Sequence, residues 1–192
     1  MYNEERSFKI KSREENNKKI LFGTPIVFNV ESKNLGGFKE LIMPQAFTNE
    51  DIKRFDIRLI YQHNETFIPL ARSNKGKGSL NIYVDSVGVH FRTELKQTAK
   101  ADEIYQAIKA GDLDSMSFSF SLKKGDSKFI KNTKGEQLHV ISKFEDIKEF
   151  SIVNDPAYSN TTINSRAYFE YKKTAKDIYW KKYDSIIDNY KN

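Results

Sequence analysis

Apolar and polar positions alternate with two different periods along this chain, and the switches between them mark its elements. Ile57, Leu59, Tyr61 and His63 fall on one face of a period-two segment, Asp56–His63. Leu80–Val84 and Val89–Leu95 alternate on either side of Asp85-Ser86-Val87-Gly88, which predicts a hairpin. Phe129–Ile141 predicts a second hairpin, turning at Lys134-Gly135, and Phe144–Val153 a last strand ended by Asp155-Pro156. Ser115–Leu122 alternates strictly. Ser115, Ser117, Ser119 and Ser121 share one face, and Met116, Phe118, Phe120 and Leu122 share the core face.

Two segments change to helical spacing. Thr48 caps a short helix over Asn49–Phe55, with Asp51 at its third position and Phe47 and Ile52 set as a hydrophobic staple. Thr98 caps a second helix with Ala101, Ile104, Tyr105 and Ile108 in one stripe, and Gly111 stops it. Ile20–Val30 is apolar and β-rich, a first strand fits around 5–12, and Glu14–Lys19 reads as a turn. The expected organisation is a charged N-terminal segment, 1–19, a domain over 20–166, and a Tyr- and Lys-rich helical tail, 167–192. Many short strands with few helices predict an α+β chain whose sheet is closed or nearly closed.

Composition narrows the chemistry. Lys and Arg total 32 against 26 Asp and Glu, a net charge of +6. The basic residues fall in scattered pairs rather than tracts, so no dedicated nucleic-acid face is expected. With no cysteine, disulfides, thiolate zinc sites and a cysteine nucleophile are excluded. No apolar stretch approaches the roughly 18 residues of a membrane span. No His/Asp/Glu cluster has metal-ligand spacing and no phosphate-binding glycine loop occurs, so neither metal nor cofactor is expected.

Three histidines limit the search for a general base. His90 alternates with Val89 and Phe91 and is expected to point outward with Arg92 and Glu94. His139, between Leu138 and Val140, is also expected to be exposed. His63 ends a strand and enters the polar turn Asn64-Glu65-Thr66, a suitable place for a base, although a core-edge histidine held by a carbonyl fits the same pattern. One of the four serines on the 115–121 face could be a nucleophile, and periodicity does not choose among them. Glu149, on a face with Ile147, Ser151 and Val153, needs a partner: a histidine to orient or a basic side chain.

Seven segments in order resemble the caudoviral (tailed-phage) prohead serine protease family. They are Phe22-Gly23-Thr24-Pro25; Glu40-Leu41-Ile42-Met43-Pro44-Gln45-Ala46-Phe47; Arg58-Leu59-Ile60-Tyr61-Gln62-His63-Asn64; Pro69-Leu70-Ala71-Arg72; Gly88-Val89-His90-Phe91; Gly111-Asp112-Leu113-Asp114-Ser115-Met116-Ser117-Phe118-Ser119-Phe120; and Glu149-Phe150-Ser151-Ile152-Val153-Asn154-Asp155-Pro156-Ala157-Tyr158. The resemblance covers about residues 20–162. It implies a mostly antiparallel β-barrel flanked by helices, similar in fold to the herpesvirus assembly proteases. It implies a serine endopeptidase with Ser117 as nucleophile, His63 as base and Glu149 as the acidic member, with His139 or Asp146 as rivals for that third place. Arg72 matches a position that could serve the oxyanion. Substrates implied are the major capsid and scaffold proteins, with self-cleavage, self-association and action inside proheads in the host cytoplasm. A protease-like head-assembly protein that does not cleave is the alternative. The family carries glycine where this chain has Gln45 and Ser119.

Overall fold

The computed structural model describes residues 4–154 apart from 6–7, 16–17, 33 and 36. The predicted tail from 167, and the stop at Asp155-Pro156, lie outside the described residues. Among the described residues, thirteen strands occur in order: β1 (Glu4–Glu5), β2 (Phe8–Glu15), β3 (Lys18–Val27), β4 (Phe38–Ile42), β5 (Asp56–Tyr61), β6 (Ala71–Asn74), β7 (Lys77–Gly78), β8 (Leu80–Val84), β9 (Gly88–Glu94), β10 (Ser115–Ser121), β11 (Ser127–Lys131), β12 (Gln137–Ile141) and β13 (Asp146–Val153). Helix α1 (Asn49–Ile52) precedes β5, and α2 (Ala99–Ala110) lies between β9 and β10.

The local signals explain both helices. The Asp51 carboxylate accepts the Thr48 backbone N–H at 2.8 Å, closing the start of α1. Thr98 Oγ1 accepts the Ala101 N–H at 3.3 Å, and Gly111 takes φ +88° just past α2. The stripe Ala101, Ile104, Tyr105 and Ile108 is buried. Both predicted hairpins form, as β8–β9 and β11–β12. The predicted turn at Glu14–Lys19 is shorter than expected, because β2 runs to Glu15 and β3 begins at Lys18. The charged N-terminal stretch thus supplies a strand of the main sheet, with Ile10 in the core.

The protein is mostly β. The main sheet runs β7-β6-β5-β13-β10-β2-β3-β9-β8, with β1 also on β10, and a smaller sheet runs β11-β12-β4. Pairings are antiparallel except β13 with β5 and β12 with β4. The closed barrel that the resemblance implies is not found among the described strands, since no ladder joins the end strands β7 and β8. Only Ser79 separates them in sequence, and it meets its surroundings through side-chain bonds instead. Its Oγ accepts the Arg72 N–H at 3.3 Å, and its carbonyl accepts Thr93 Oγ1–H at 2.8 Å.

The core gathers Met116, Phe118 and Phe120 from β10, Phe150 and Ile152 from β13, and Leu59 from β5, with Phe91 and Phe144 beside them. Where β9 begins, a Cβ on Gly88 would lie 2.1 Å from the Ile26 carbonyl oxygen, at a shift in the β3–β9 register. Backbone must give way there, so Gly88→Ala is expected to destabilise the protein by about 1–3 kcal/mol, read as a lower urea midpoint at unchanged slope.

Candidate active site

Three adjacent strands, β5, β13 and β10, build the site. In register, Ser117 faces Ser151, Ser119 faces Glu149, and Glu149 faces Arg58. These side chains share the sheet face opposite Met116, Phe118, Phe150 and Ile152. The serine face of β10 is covered rather than solvated: Ser117 is 2% exposed and Ser119 7%.

A β-bulge determines which way Glu149 points. Ser119 pairs with Glu149, but Phe120 already pairs with Ile147, leaving Lys148 as the extra residue. Ile147 therefore joins Phe120, Phe150 and Ile152 in the core. The shared face expected for Ile147 and Glu149 is corrected by this slip, which lets Glu149 and Ser151 occupy the site side while Ile147 stays in the core.

His63 reaches the same face by a second irregularity. β5 stops at Tyr61, and Gln62 and His63 take φ of +54° and +51°, left-handed values that non-glycine residues seldom adopt. Alternation placed His63 with Ile57, Leu59 and Tyr61. The turn instead swings it over β13, where its backbone N–H donates to Ser151 Oγ at 2.8 Å. Its Nδ1 is hydrogen-bonded to Glu149 Oε1. Glu149 is 3% exposed, and its second oxygen and the Ser117 hydroxyl are buried without a hydrogen-bond partner.

Nδ1 of His63 and a buried carboxylate therefore lie together, with Ser151 as the neighbour common to His63 and Ser117. A carboxylate there fixes the imidazole tautomer and stabilises the imidazolium that forms when the ring takes a proton. A small buried hydroxyl on the next strand is a suitable nucleophile for such a base.

The other histidines sit elsewhere, and both are buried, which corrects their expected exposure. His90 is 1% exposed because β3 and β8 flank its strand and Tyr83 stacks on its ring at 4.8 Å. Thr24 Oγ1 lies 2.8 Å from its Nδ1 and Asp85 Oδ1 2.9 Å from its Nε2. Burial pushes the Asp85 carboxyl up, but hydrogen bonds from His90 and the Val87 and Gly88 N–H groups bring it below the usual range. His139 lies in the centre of the small sheet, 3.2 Å from Glu40 Oε2 and 2.8 Å from Ser127 Oγ, with Phe129 stacked at 4.5 Å. Asp146 pairs with Ser121 at the far end of β13 from Ser151.

His139→Ala is accordingly expected to lower stability by about 1–3 kcal/mol, because buried Glu40 loses a partner, while leaving peptide cleavage within about twofold. Parallel thermal unfolding and hydrolysis assays check this. Arg72 is committed to Asp56 through two hydrogen bonds of 2.6 Å, which hold the Asp56 carboxyl below its ordinary range. Its guanidinium belongs to that pair. Ser151 and Lys148 carried no signal as single residues in the sequence.

Among the described residues no helix is long and apolar enough to cross a membrane, and no group of three His, Asp or Glu side chains could hold a metal. A family model described as caudovirus prohead serine protease matches residues 6–176. The solved structure of the bacteriophage T4 capsid assembly protease is similar over 79% of this chain and 96% of that one, at 10% identity and a TM-score of 0.42. No curated protein matches the chain.

Proposed function

This chain belongs to the caudovirus prohead serine protease family, and on that footing we propose that it is an endopeptidase that trims capsid and scaffold proteins in assembling proheads within the host cytoplasm, using Ser117, His63 and Glu149. The observation that carries the assignment is the His63 Nδ1 contact with buried Glu149.

With Nδ1 engaged by the carboxylate, proton exchange runs through Nε2. Ser117 lies opposite Ser151, so its Cβ is about 4.5–5.5 Å from that neighbour, which itself accepts the His63 N–H. His63 removes the Ser117 proton as Oγ bonds to the substrate carbonyl carbon. The tetrahedral intermediate expels the amine, which takes that proton from the imidazolium. Water then attacks the acyl-serine, giving its proton to His63, and collapse returns the proton to Ser117 Oγ and releases the carboxylate product.

A fluorophosphonate probe tests the pair. The reagent is expected to modify Ser117, located by peptide mass spectrometry, and His63→Ala is expected to slow labelling by about 10³-fold or more. Labelling that stays at the wild-type rate in His63→Ala would refute the base assignment.

A further inference from the structure

The small sheet ends at β11, which has β12 on one side and, among the described residues, no strand on the other. Asn132 N–H donates to the Glu136 carbonyl and Ser142 N–H to the Asp126 carbonyl, each at 2.9 Å. Ladder bonds recur at every second residue, so Lys128 and Ile130 bond toward β12. The backbone N–H and C=O groups of Ser127, Phe129 and Lys131 therefore point outward. Two large apolar side chains lie along the same edge, Phe129 at 59% exposure and Ile130 at 40%. The Phe129 ring is nonetheless fixed. It stacks on His139 at 4.5 Å and meets Phe38 edge to face at 5.5 Å, while Glu40 and Ser127 hold His139 from either side. Outward backbone beside a fixed aromatic ring is a template for strand addition.

We infer that β11 is a docking edge for an extended segment of another protein, which adds as a further strand and carries the pattern acidic–apolar–apolar–acidic. Those four residues would lie opposite Lys128, Phe129, Ile130 and Lys131 in turn, and the pattern reads the same in both strand directions. The edge belongs to the small sheet and not to the β5–β13–β10 face, so the inference stands without the protease reading.

Charge selects the occupant. Lys124, Lys128, Lys131 and Lys134 are all exposed. The nearby carboxylates are engaged elsewhere: Glu136 accepts from Lys39, and Asp126 accepts the Lys123 backbone N–H. A second β11 would bring two lysines from each strand together with no carboxylate between them, which opposes self-pairing. Residues 155–192 hold seven Lys and Arg against five Asp and Glu, and no acidic–apolar–apolar–acidic run occurs anywhere in the 192 residues. The complementary strand therefore belongs to a different protein.

A fluorescent peptide with Glu-Val-Val-Glu at its centre, titrated with the full chain and read by anisotropy, tests this. Saturable binding is expected below about 1 mM. Phe129→Ala should weaken it about tenfold. Lys128→Glu combined with Lys131→Glu should abolish it and confer binding of a Lys-Val-Val-Lys peptide, which also shows that the variant is folded. N-methylation of the peptide backbone at alternate residues needs no variant. It should abolish binding for one parity and spare it for the other, as a strand ladder requires. Absence of saturable binding, binding indifferent to the charge exchange, or equal effects of both parities overturns the proposal. A photo-crosslinker at exposed Thr133 completes the test. Capture of the peptide supports strand addition, whereas capture of a second copy or of residues 155–192 assigns the edge to this chain itself and overturns the inference.

Discussion

Ser117→Ala is expected to lower cleavage of capsid or scaffold substrate by about 10⁴–10⁶-fold while the protein becomes no less stable. The two effects have one cause. The Ser117 hydroxyl is buried without a hydrogen-bond partner, so in the resting fold it is desolvated with no compensation. Removing it should leave the unfolding midpoint unchanged or raise stability by up to about 1 kcal/mol. Ser115→Ala and Ser119→Ala are the controls. Ser115 Oγ donates to Asp114 at 2.7 Å, and Ser119 faces Glu149, so neither occupies the Ser117 position. Both should keep activity within about tenfold. Equal losses in all three variants would remove the reason for singling out Ser117.

Glu149→Gln should give the next largest loss, reaching roughly 10⁴ in turnover with the fold intact. The amide keeps the volume of the carboxylate, but its NH₂ end can donate to Nδ1 and select the wrong tautomer, and it cannot stabilise the imidazolium. The measurement is kcat for a cleaved peptide beside near-ultraviolet circular dichroism. A loss below about tenfold with intact packing would show that the carboxylate does not serve the ring.

Much of this arrangement was legible in the sequence, and the parts that were not share a physical reason. Regular elements follow from period and caps, so α2 and both hairpins form where Thr98, Gly111 and the alternating runs predict them. The site depends on departures from regularity. Parity placed His63 on the apolar face, and two successive left-handed residues reversed it. Parity likewise joined Ile147 to Glu149, and the extra residue Lys148 separated them. A trace of the bulge was present in the apolar spacing Ile147, Phe150, Ile152, which is three residues and then two. His90 and His139 were misread because alternation describes one strand, whereas their burial comes from flanking strands and stacked rings. The sequence also does not say whether a row of sheet pairings closes.

The parallel pairing of β5 with β13 also joins segments that leave the ribosome at different times. His63 and Glu149 are 86 residues apart. At about 5–20 residues per second, the ribosome adds Glu149 roughly 4–17 s after His63. Until then a nascent chain can hold both Ser117 and His63 but nothing in the acidic position. A fragment broken off before Asp146 is in the same condition. On the proposed assignment, an acid on the last described strand leaves every incomplete copy without its third member.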